Sequence, residues 1–196
     1  MLMATYWEDG IMCRTGCLFI LVVLSVSLTT VVFAGEDDPL VAWWKLDEGA
    51  GEIAADSSGS GLDGTITDAT WSAPGYDDMG FCLEMERGAF VDLGNPDALN
   101  FGAGDWTVTA WINTTITGTA EADRGTIYAN GGDNSGGVRY TLCVGELQDG
   151  QVTLTCDDDS TKAQATGTTM VNDGEWHLAV GMREGTTIRV AIDGVY

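Results

Sequence analysis

The stretch VAWWKLDEGAGEIAADSSGSGLDGT, residues 41–65, decides the fold of this chain. Its first residues alternate in an extended pattern, which places Trp43 and Trp44 on opposite sides of the backbone. This alternation predicts a β-strand with at least one buried face. Glycine, serine and aspartate dominate residues 56–64, where they supply the backbone freedom and the side-chain acceptors of tight turns. The stretch therefore predicts a strand followed by a sharply bending loop.

Alternating apolar residues continue along the chain and predict further strands. The clearest case is DWTVTAWIN, residues 105–113, in which Trp106 and every second residue after it are expected to face inward. Shorter strands are predicted at residues 65–70, 81–85, 89–94, 126–129, 175–180 and 187–194, with 81–85 and 89–94 joined by a turn near Arg87. Nothing after residue 34 keeps a helical period, so an antiparallel β-sandwich is predicted.

Three segments resemble the signatures of laminin G-like, concanavalin A-like jelly-roll modules. The first is the aromatic strand followed by Asp-Glu-Gly-x-Gly and Asp-Ser-Ser-Gly-x-Gly-x-Asp-Gly. The second is Phe-Val-Asp-Leu-Gly at residues 90–94, and the third is Trp-His at residues 176–177 followed by two apolar strands and Asp-Gly. The resemblance runs from about residue 41 onward and implies an all-β jelly-roll sandwich. Such modules serve as lectins, adhesion units and enzyme appendages.

The resemblance also implies strands beyond those seen here. Modules of this type continue past the Asp-Gly turn, and a returning strand packs beside the first one. The sequence ends at Tyr196. We therefore interpret residues 35–196 as an incomplete jelly-roll domain, whose remaining strands are expected from a longer reading frame or from elsewhere.

The first 34 residues have the pattern of a secretory signal peptide. The apolar run LFILVVLSVSLTTVVF, residues 18–33, follows Arg14 and ends in small residues before Gly35. A transmembrane anchor is the alternative, but serines and threonines dilute the run and no positive cluster follows it. We expect cleavage before Gly35 and a secreted or cell-surface product without a membrane segment.

The charge balance excludes one class of partner. The chain carries 30 acidic and 8 basic residues, a formal net charge of −22. Such a surface repels the phosphates of nucleic acid, because each phosphate contact requires a cation. The acidity is interpreted mainly as a source of solubility, and the alternative is that some carboxylates converge on calcium.

The loop at residues 56–64 is the candidate calcium site. Asp56 and Asp63 supply carboxylates, and the neighbouring serines and freed carbonyls supply the further oxygen ligands that calcium prefers. In the modules that the chain resembles, a calcium often lies at this loop. The ion is expected to be structural, since no adjacent base completes a catalytic metal site. The alternative is a tight turn capped by its own Asp and Ser side chains.

No catalytic constellation emerges from the sequence. His177 is the one histidine, and no Gly-x-Ser-x-Gly elbow accompanies it, so it is interpreted as a hydrogen-bonded strand residue. Glycosidases of the resembled fold carry Glu-x-Asp-x-x-Glu, whereas this chain offers only Glu84 and Glu86 before Arg87. We therefore predict that the protein is not an enzyme.

A disulfide between Cys143 and Cys156 is predicted from hairpin geometry. Asp149-Gly150 suits a two-residue turn, and the register that it sets places the two cysteines opposite each other. Export makes a disulfide chemically reasonable. Cys82 is then the unpaired thiol and is expected to be buried.

Tryptophans are the candidates for a ligand platform. Trp106 and Trp176 fall in the apolar phase of their strands and are predicted to be core, whereas Trp44, Trp71 and Trp111 are candidates for stacking on sugar rings. The function predicted is a secreted, non-catalytic module that binds a glycan or another extracellular surface. The alternatives are a structural or adhesion segment of a larger extracellular protein and a remnant of a glycoside hydrolase.

Overall fold

The computed structural model describes residues 16–24, 40–131 and 137–196, and for residues 16–24 it describes the backbone alone. These residues form strands connected by turns and by short 3-10 helices at Tyr76–Asp78, Asp97–Leu99 and Glu121–Asp123. The strands are β1 Gly16–Leu24, β2 Leu40–Trp44, β3 Ile53–Ala54, β4 Gly64–Thr67, β5 Thr70–Ser72, β6 Cys82–Glu84, β7 Phe90–Asp92, β8 Trp106–Thr114, β9 Gly125–Asn130, β10 Arg139–Val144, β11 Val152–Asp157, β12 Lys162–Thr166, β13 Trp176–Glu184 and β14 Thr187–Ile192.

The strands form three antiparallel sheets, and the predicted all-β jelly-roll sandwich is confirmed. A seven-stranded sheet has the order β14-β13-β8-β1-β6-β5, with β2 also paired to β1. A four-stranded sheet has the order β12-β11-β10-β9, and a small sheet has the order β3-β4-β7. The core lies between the sheets and is formed by apolar side chains from strands of all three.

Strand β8 shows how the alternation of the sequence becomes a two-faced sheet. Its residues alternate between buried and half-buried along the whole strand. Trp106, Val108 and Ala110 are at most 1% exposed, so the predicted inward face is confirmed. Trp106 packs at its end of the core against the rings of Phe101 and Tyr140, at centroid distances of 5.3 and 5.1 Å. This inward packing leaves the opposite face of β8 toward solvent.

Strand β1 occupies the middle of the seven-stranded sheet. Its backbone pairs with β8 along one edge, from Gly16 opposite Thr114 to Leu24 opposite Thr107. Along its other edge it pairs with β2 and, near Cys17, with β6. The strand that lies beside β2 therefore comes from the apolar run that was interpreted as a signal peptide. The expected cleavage position before Gly35 lies outside the described residues and stays a prediction.

The predicted turn near Arg87 is confirmed, and the two strands that it joins belong to different sheets. Strand β6 pairs with β5 and β1, whereas β7 pairs with β4 in the small sheet. A turn does form between them, with the Ala89 amide donating to the Glu86 carbonyl at 3.0 Å. Leu83 and Val91 are both buried, but they enter the core from different sheets. The turn thus carries the chain between sheets and closes no hairpin.

The predicted register of β10 and β11 is wrong. Cys143 lies opposite Thr153, and Cys156 lies opposite Tyr140. Opposed residues share a face and successive residues alternate, so Cys143 and Cys156 point to opposite faces of the sheet. The structure has no disulfide between them, and Cys82 is buried, as expected.

The connection between β10 and β11 explains the register difference. The hairpin closes over seven residues, 145–151, with the Gly145 amide donating to the Gln151 carbonyl at 3.0 Å. The Asp149 carboxylate accepts a hydrogen bond from the Gly118 amide at 2.8 Å, so it serves a contact with a distant loop. Asp149-Gly150 is therefore part of a wider loop and does not form the expected two-residue turn.

Candidate functional site

The outward face of the seven-stranded sheet carries a group of aromatic side chains. We call Trp43, Tyr76, Trp111 and Trp176 the aromatic platform. All four are half-buried, so each ring keeps part of its surface toward solvent. Trp111 lies on the outward side of β8, and Trp176 of β13 lies opposite the outward residue Asn113. Large, partly exposed rings on a sheet face are typical of surfaces that bind a flat apolar ligand face.

Tyr76 fixes the geometry at one end of the platform. It belongs to the 3-10 helix after β5, and its ring stacks on Trp111 with a centroid distance of 3.8 Å and an interplanar angle of 24°. It also meets the edge of Trp176 at 6.1 Å and 87°. Parallel and edge-on contacts of this kind are the favoured arrangements of aromatic pairs. They hold the three rings in fixed relative orientations.

Trp43 forms the other end of the platform. It stands on the outward side of β2, and its strand is separated from β8 by β1 alone. Two interstrand steps of about 4.8 Å each separate the strands of Trp43 and Trp111. The Lys45 ammonium lies 4.9 Å from the centroid of the Trp43 ring, a cation–π distance. Between the two tryptophans, the outward Thr109 adds a hydroxyl to the same face.

The outer face of the four-stranded sheet is less exposed than the outward face of the seven-stranded sheet, because a loop lies over it. Thr153 and Thr155 point outward from β11, yet they are 0% and 8% exposed. Glu146, from the loop after β10, accepts hydrogen bonds from the Thr155 hydroxyl at 2.9 and 3.0 Å and from Gln164 Nε2 at 3.1 Å. This loop covers the outer face. Of the two outer faces, the one on the seven-stranded sheet carries the partly exposed aromatic side chains.

The tryptophan predictions have mixed outcomes. Trp106 is core and Trp111 is on an outward face, as expected. Trp44 is 1% exposed and donates Nε1 to the Leu62 carbonyl at 2.6 Å, so it ties the opening strand to the following loop. Trp71 packs against the core and donates Nε1 to the Gly51 carbonyl at 2.9 Å. Trp176 was expected in the core but lies outward.

Trp176 and Tyr76 escaped sequence reasoning for different reasons. Trp176 begins β13, where the apolar phase is ambiguous because Leu178 and Val180 on the same side are only half-buried. Tyr76 lies in an irregular connection and carries no periodic signal. The outward position of Trp43 could have been predicted, because successive residues of a strand alternate and an inward Trp44 requires its neighbour to point outward.

The predicted calcium ligands form a closed hydrogen-bonded loop. Asp56 Oδ1 accepts from the amides of Trp43 and Ser58 at 3.0 and 2.8 Å. Asp56 Oδ2 accepts from the Ser58 hydroxyl at 2.9 Å and the Leu62 amide at 3.0 Å. Asp63 Oδ1 accepts from the Asp56 amide at 2.8 Å. Four donors fill about four lone-pair positions of one carboxylate. The contacts of Asp56 are those of the capped turn, and its role as a calcium ligand stays a prediction.

The electrostatics of Asp56 follow from these contacts. Burial opposes ionisation, but hydrogen bonds from Ser58, Leu62 and Trp43 outweigh it and lower the pKa of Asp56 to about 2. Within the described residues, His, Cys, Asp and Glu side chains form no group of three or more that could hold a metal ion. Calcium binding stays a prediction, since backbone carbonyls also ligate this ion.

His177 is held between two carboxylates. Its Nδ1 lies 2.7 Å from Asp193 Oδ2, and its Nε2 lies 3.1 Å from Asp173 Oδ1. Asp193 also accepts the Leu178 amide at 2.8 Å. Burial of the ring lowers the pKa of His177, but the two carboxylates outweigh it and the net pKa is raised above its ordinary value. The interpretation of His177 as a hydrogen-bonded strand residue is confirmed.

The β-sandwich agrees with the comparison with known families. The family model described as the concanavalin A-like lectin/glucanases superfamily, of the laminin G type, matches residues 87–196, more than half of the chain. The chain belongs to this superfamily. The superfamily fold is typical of carbohydrate-binding and adhesion modules, and it also includes glycosidases. No curated protein and no solved structure gives a significant match. Among the described residues, no helix has the length and apolarity required to cross a bilayer.

Proposed function

We propose that the protein is an exported, non-catalytic module that binds glycans through the aromatic platform. The observation that carries this proposal is the fixed group of half-exposed rings on an outward sheet face. Sugar rings present apolar C–H faces that stack on tryptophan and tyrosine, and the Thr109 hydroxyl lies on the same face for polar contacts. The superfamily membership supports the same conclusion.

The charge of the protein narrows the class of glycan. The formal net charge is −22, and the exposed carboxylates of Asp77 and Asp78 follow Tyr76 directly. Sulfated or carboxylated glycans meet repulsion at such a surface. We therefore expect neutral oligosaccharides, longer than one ring because two strand spacings separate the strands that carry Trp43 and Trp111.

The non-catalytic part of the proposal is supported by the surroundings of the candidate acids and bases. Both ring nitrogens of His177 contact carboxylates, so the ring is engaged in structure. Glu84 and Glu86 flank Met85, which is 8% exposed and part of the core. We expect no release of reducing ends from a panel of polysaccharides. Release that survives purification to constant specific activity would contradict this expectation.

Binding is tested with a glycan array followed by titration monitored by tryptophan fluorescence. We expect Trp111→Ala to weaken binding of the best neutral glycan by about 30-fold, as for an aromatic hot spot of about 2 kcal/mol. Trp71→Ala is the matched control, because Trp71 packs against the core and lies off the platform. Each variant is first checked by its melting curve. Equal affinities for Trp111→Ala and the unaltered protein would reject the platform.

A further inference from the structure

A groove one strand wide runs through the middle of the seven-stranded sheet. One wall is the edge of β8, and the other wall is formed by β2 and by the end of β6. Strand β1 fills the groove and pairs on both sides. In the described residues, β1 is the sole connection between the β14-β13-β8 part of this sheet and the strands β2, β6 and β5. The groove therefore has two hydrogen-bonding edges facing one inserted strand.

Both walls belong to the core. Ala42 and Trp44 of β2 and Leu83 of β6 are at most 1% exposed, as are Val108 and Ala110 of β8. An empty groove would leave unpaired amides and carbonyls along β8 and β2, which is costly and promotes association with other strands. A segment that fills the groove must therefore be extended, to pair with both edges, and uncharged, because the walls belong to the core. The sequence GCLFILVVL of β1 contains no charged residue and meets this demand.

We propose that the groove is a strand-acceptor site and that Gly16–Leu24 occupies it as an exchangeable strand. The segment has a second role beside the one expected for an export signal, because its insertion completes the central sheet. Cutting the chain between β1 and β2 leaves the strand held by non-covalent contacts, among them its backbone pairs with β8, β2 and β6. This binding is β-strand addition on two edges at once. The proposal bears on the glycan-binding function, because β1 separates the strands that carry Trp43 and Trp111, but its tests measure only the seating and exchange of the strand.

The seating of β1 is tested first, in the full chain. Cys17 lies opposite Glu84 of β6. Under mild oxidation, we expect Glu84→Cys to form a disulfide with Cys17, identified by peptide mapping without reduction. Glu86→Cys is the control, because Glu86 is exposed and lies beyond the end of β6. Equal cross-linking in the two variants, or none in the first at full oxidation of accessible thiols, would overturn the proposal.

Exchange is tested with a protease site inserted between residues 24 and 40. After folding and cutting, we expect the N-terminal fragment to co-elute with the rest of the chain on size exclusion. A labelled synthetic peptide of residues 14–26 should then replace it, and the same peptide with Leu18 and Val22 changed to proline should not, because proline removes the donors that pair with the walls. Release of the fragment with an unchanged melting temperature would show that the groove needs no strand and would overturn the proposal.

Discussion

At the scale of single residues, His177 makes stability depend on pH in a defined window. The ring joins Asp173, in the loop before β13, to Asp193 after β14, and these are the charged groups that face it. Because its pKa is raised in the folded state, the stabilisation is fully present below the unfolded pKa of about 6.5 and is lost as pH rises through the higher folded value. The chain has one histidine, so the dependence is not masked by another imidazole.

We expect the melting temperature of the unaltered protein to fall as pH rises above the unfolded pKa of about 6.5 and through the raised pKa of His177. His177→Gln keeps an amide in place of the ring and should be less stable at pH 6, with no comparable slope across the window. Melting curves at constant ionic strength check this. Parallel slopes for the two proteins would assign the pH dependence to other groups.

Asp56 organises the turning loop through four hydrogen bonds. In Asp56→Asn, one oxygen becomes an NH₂ group that cannot accept from the amides of Trp43, Ser58 or Leu62. We expect a loss of about 1–3 kcal/mol in the free energy of unfolding, with the Asp56 contribution in the unaltered protein lost as pH falls from about 4 toward 2.

Denaturant titrations with calcium and with chelator separate the turn from an ion site. We expect equal losses for Asp56→Asn in both conditions. An ion bound at hundredfold excess over its dissociation constant would add about 2.7 kcal/mol to the unaltered protein. A calcium-dependent gain of that size, absent from the variant, would place the ion at Asp56.

At the scale of strands and sheets, the positions of the two cysteines in β10 and β11 test the register. We expect both Cys143 and Cys156 to be alkylated separately when the protein is unfolded without reductant. In the native protein, Cys156 should react slowly, because burial, with Arg183 acting weakly in the opposite sense, raises the pKa of its thiol to about 11. Peptide mapping is the measurement. A disulfide-linked Cys143–Cys156 peptide would contradict the observed register and support the register of a two-residue turn.

The contact between β13 and the four-stranded sheet depends on a glycine. A Cβ atom at Gly181 would lie 2.9 Å from Leu142 Cδ1 and 3.6 Å from Leu154 Cδ1. Gly181→Val should therefore lower the free energy of unfolding by about 1–3 kcal/mol through overpacking. Val180→Ile adds a methylene on the outward side of the same strand and should change it by less than about 0.5 kcal/mol. Similar losses in both variants would mean that Gly181 does not set the sheet separation.

The sequence predicts elements better than it predicts their partners. The period of two in β8 assigned its inward residues correctly, because one face of the strand is buried along its whole length. The sequence does not reveal that the turn between β6 and β7 joins two different sheets. The predicted register of β10 and β11 was wrong because Asp149 contacts a distant loop. Trp111 of the aromatic platform could be predicted because it lies in the alternating pattern of β8. Tyr76 could not, because it lies in an irregular connection and is positioned by tertiary contacts.

At the scale of the whole molecule, a net charge of −22 acts against compactness. Self-repulsion is greater in the folded state, where the carboxylates are closer together than in the unfolded chain. Raising sodium chloride from about 0.01 to 0.5 M shortens the screening length several-fold, so we expect the melting temperature to rise. A matched series with a non-ionic osmolyte at equal osmolality separates screening from exclusion effects. A fall in melting temperature with salt would show that attractive ion pairs such as Arg139–Asp157 dominate.

The central position of β1 also governs the order of events during folding. Gly16 pairs with Thr114, and the strands β2 to β7 all lie between them in the sequence. Strand β1 can meet β2 early, but it can pair with β8 only after β2 to β7 have been synthesised. Folds dominated by such distant pairings close their loops slowly, on the scale of milliseconds to seconds. Until β8 has been synthesised, the β8-facing edge of this uncharged strand is unpaired, and an unpaired apolar edge favours association with other strands.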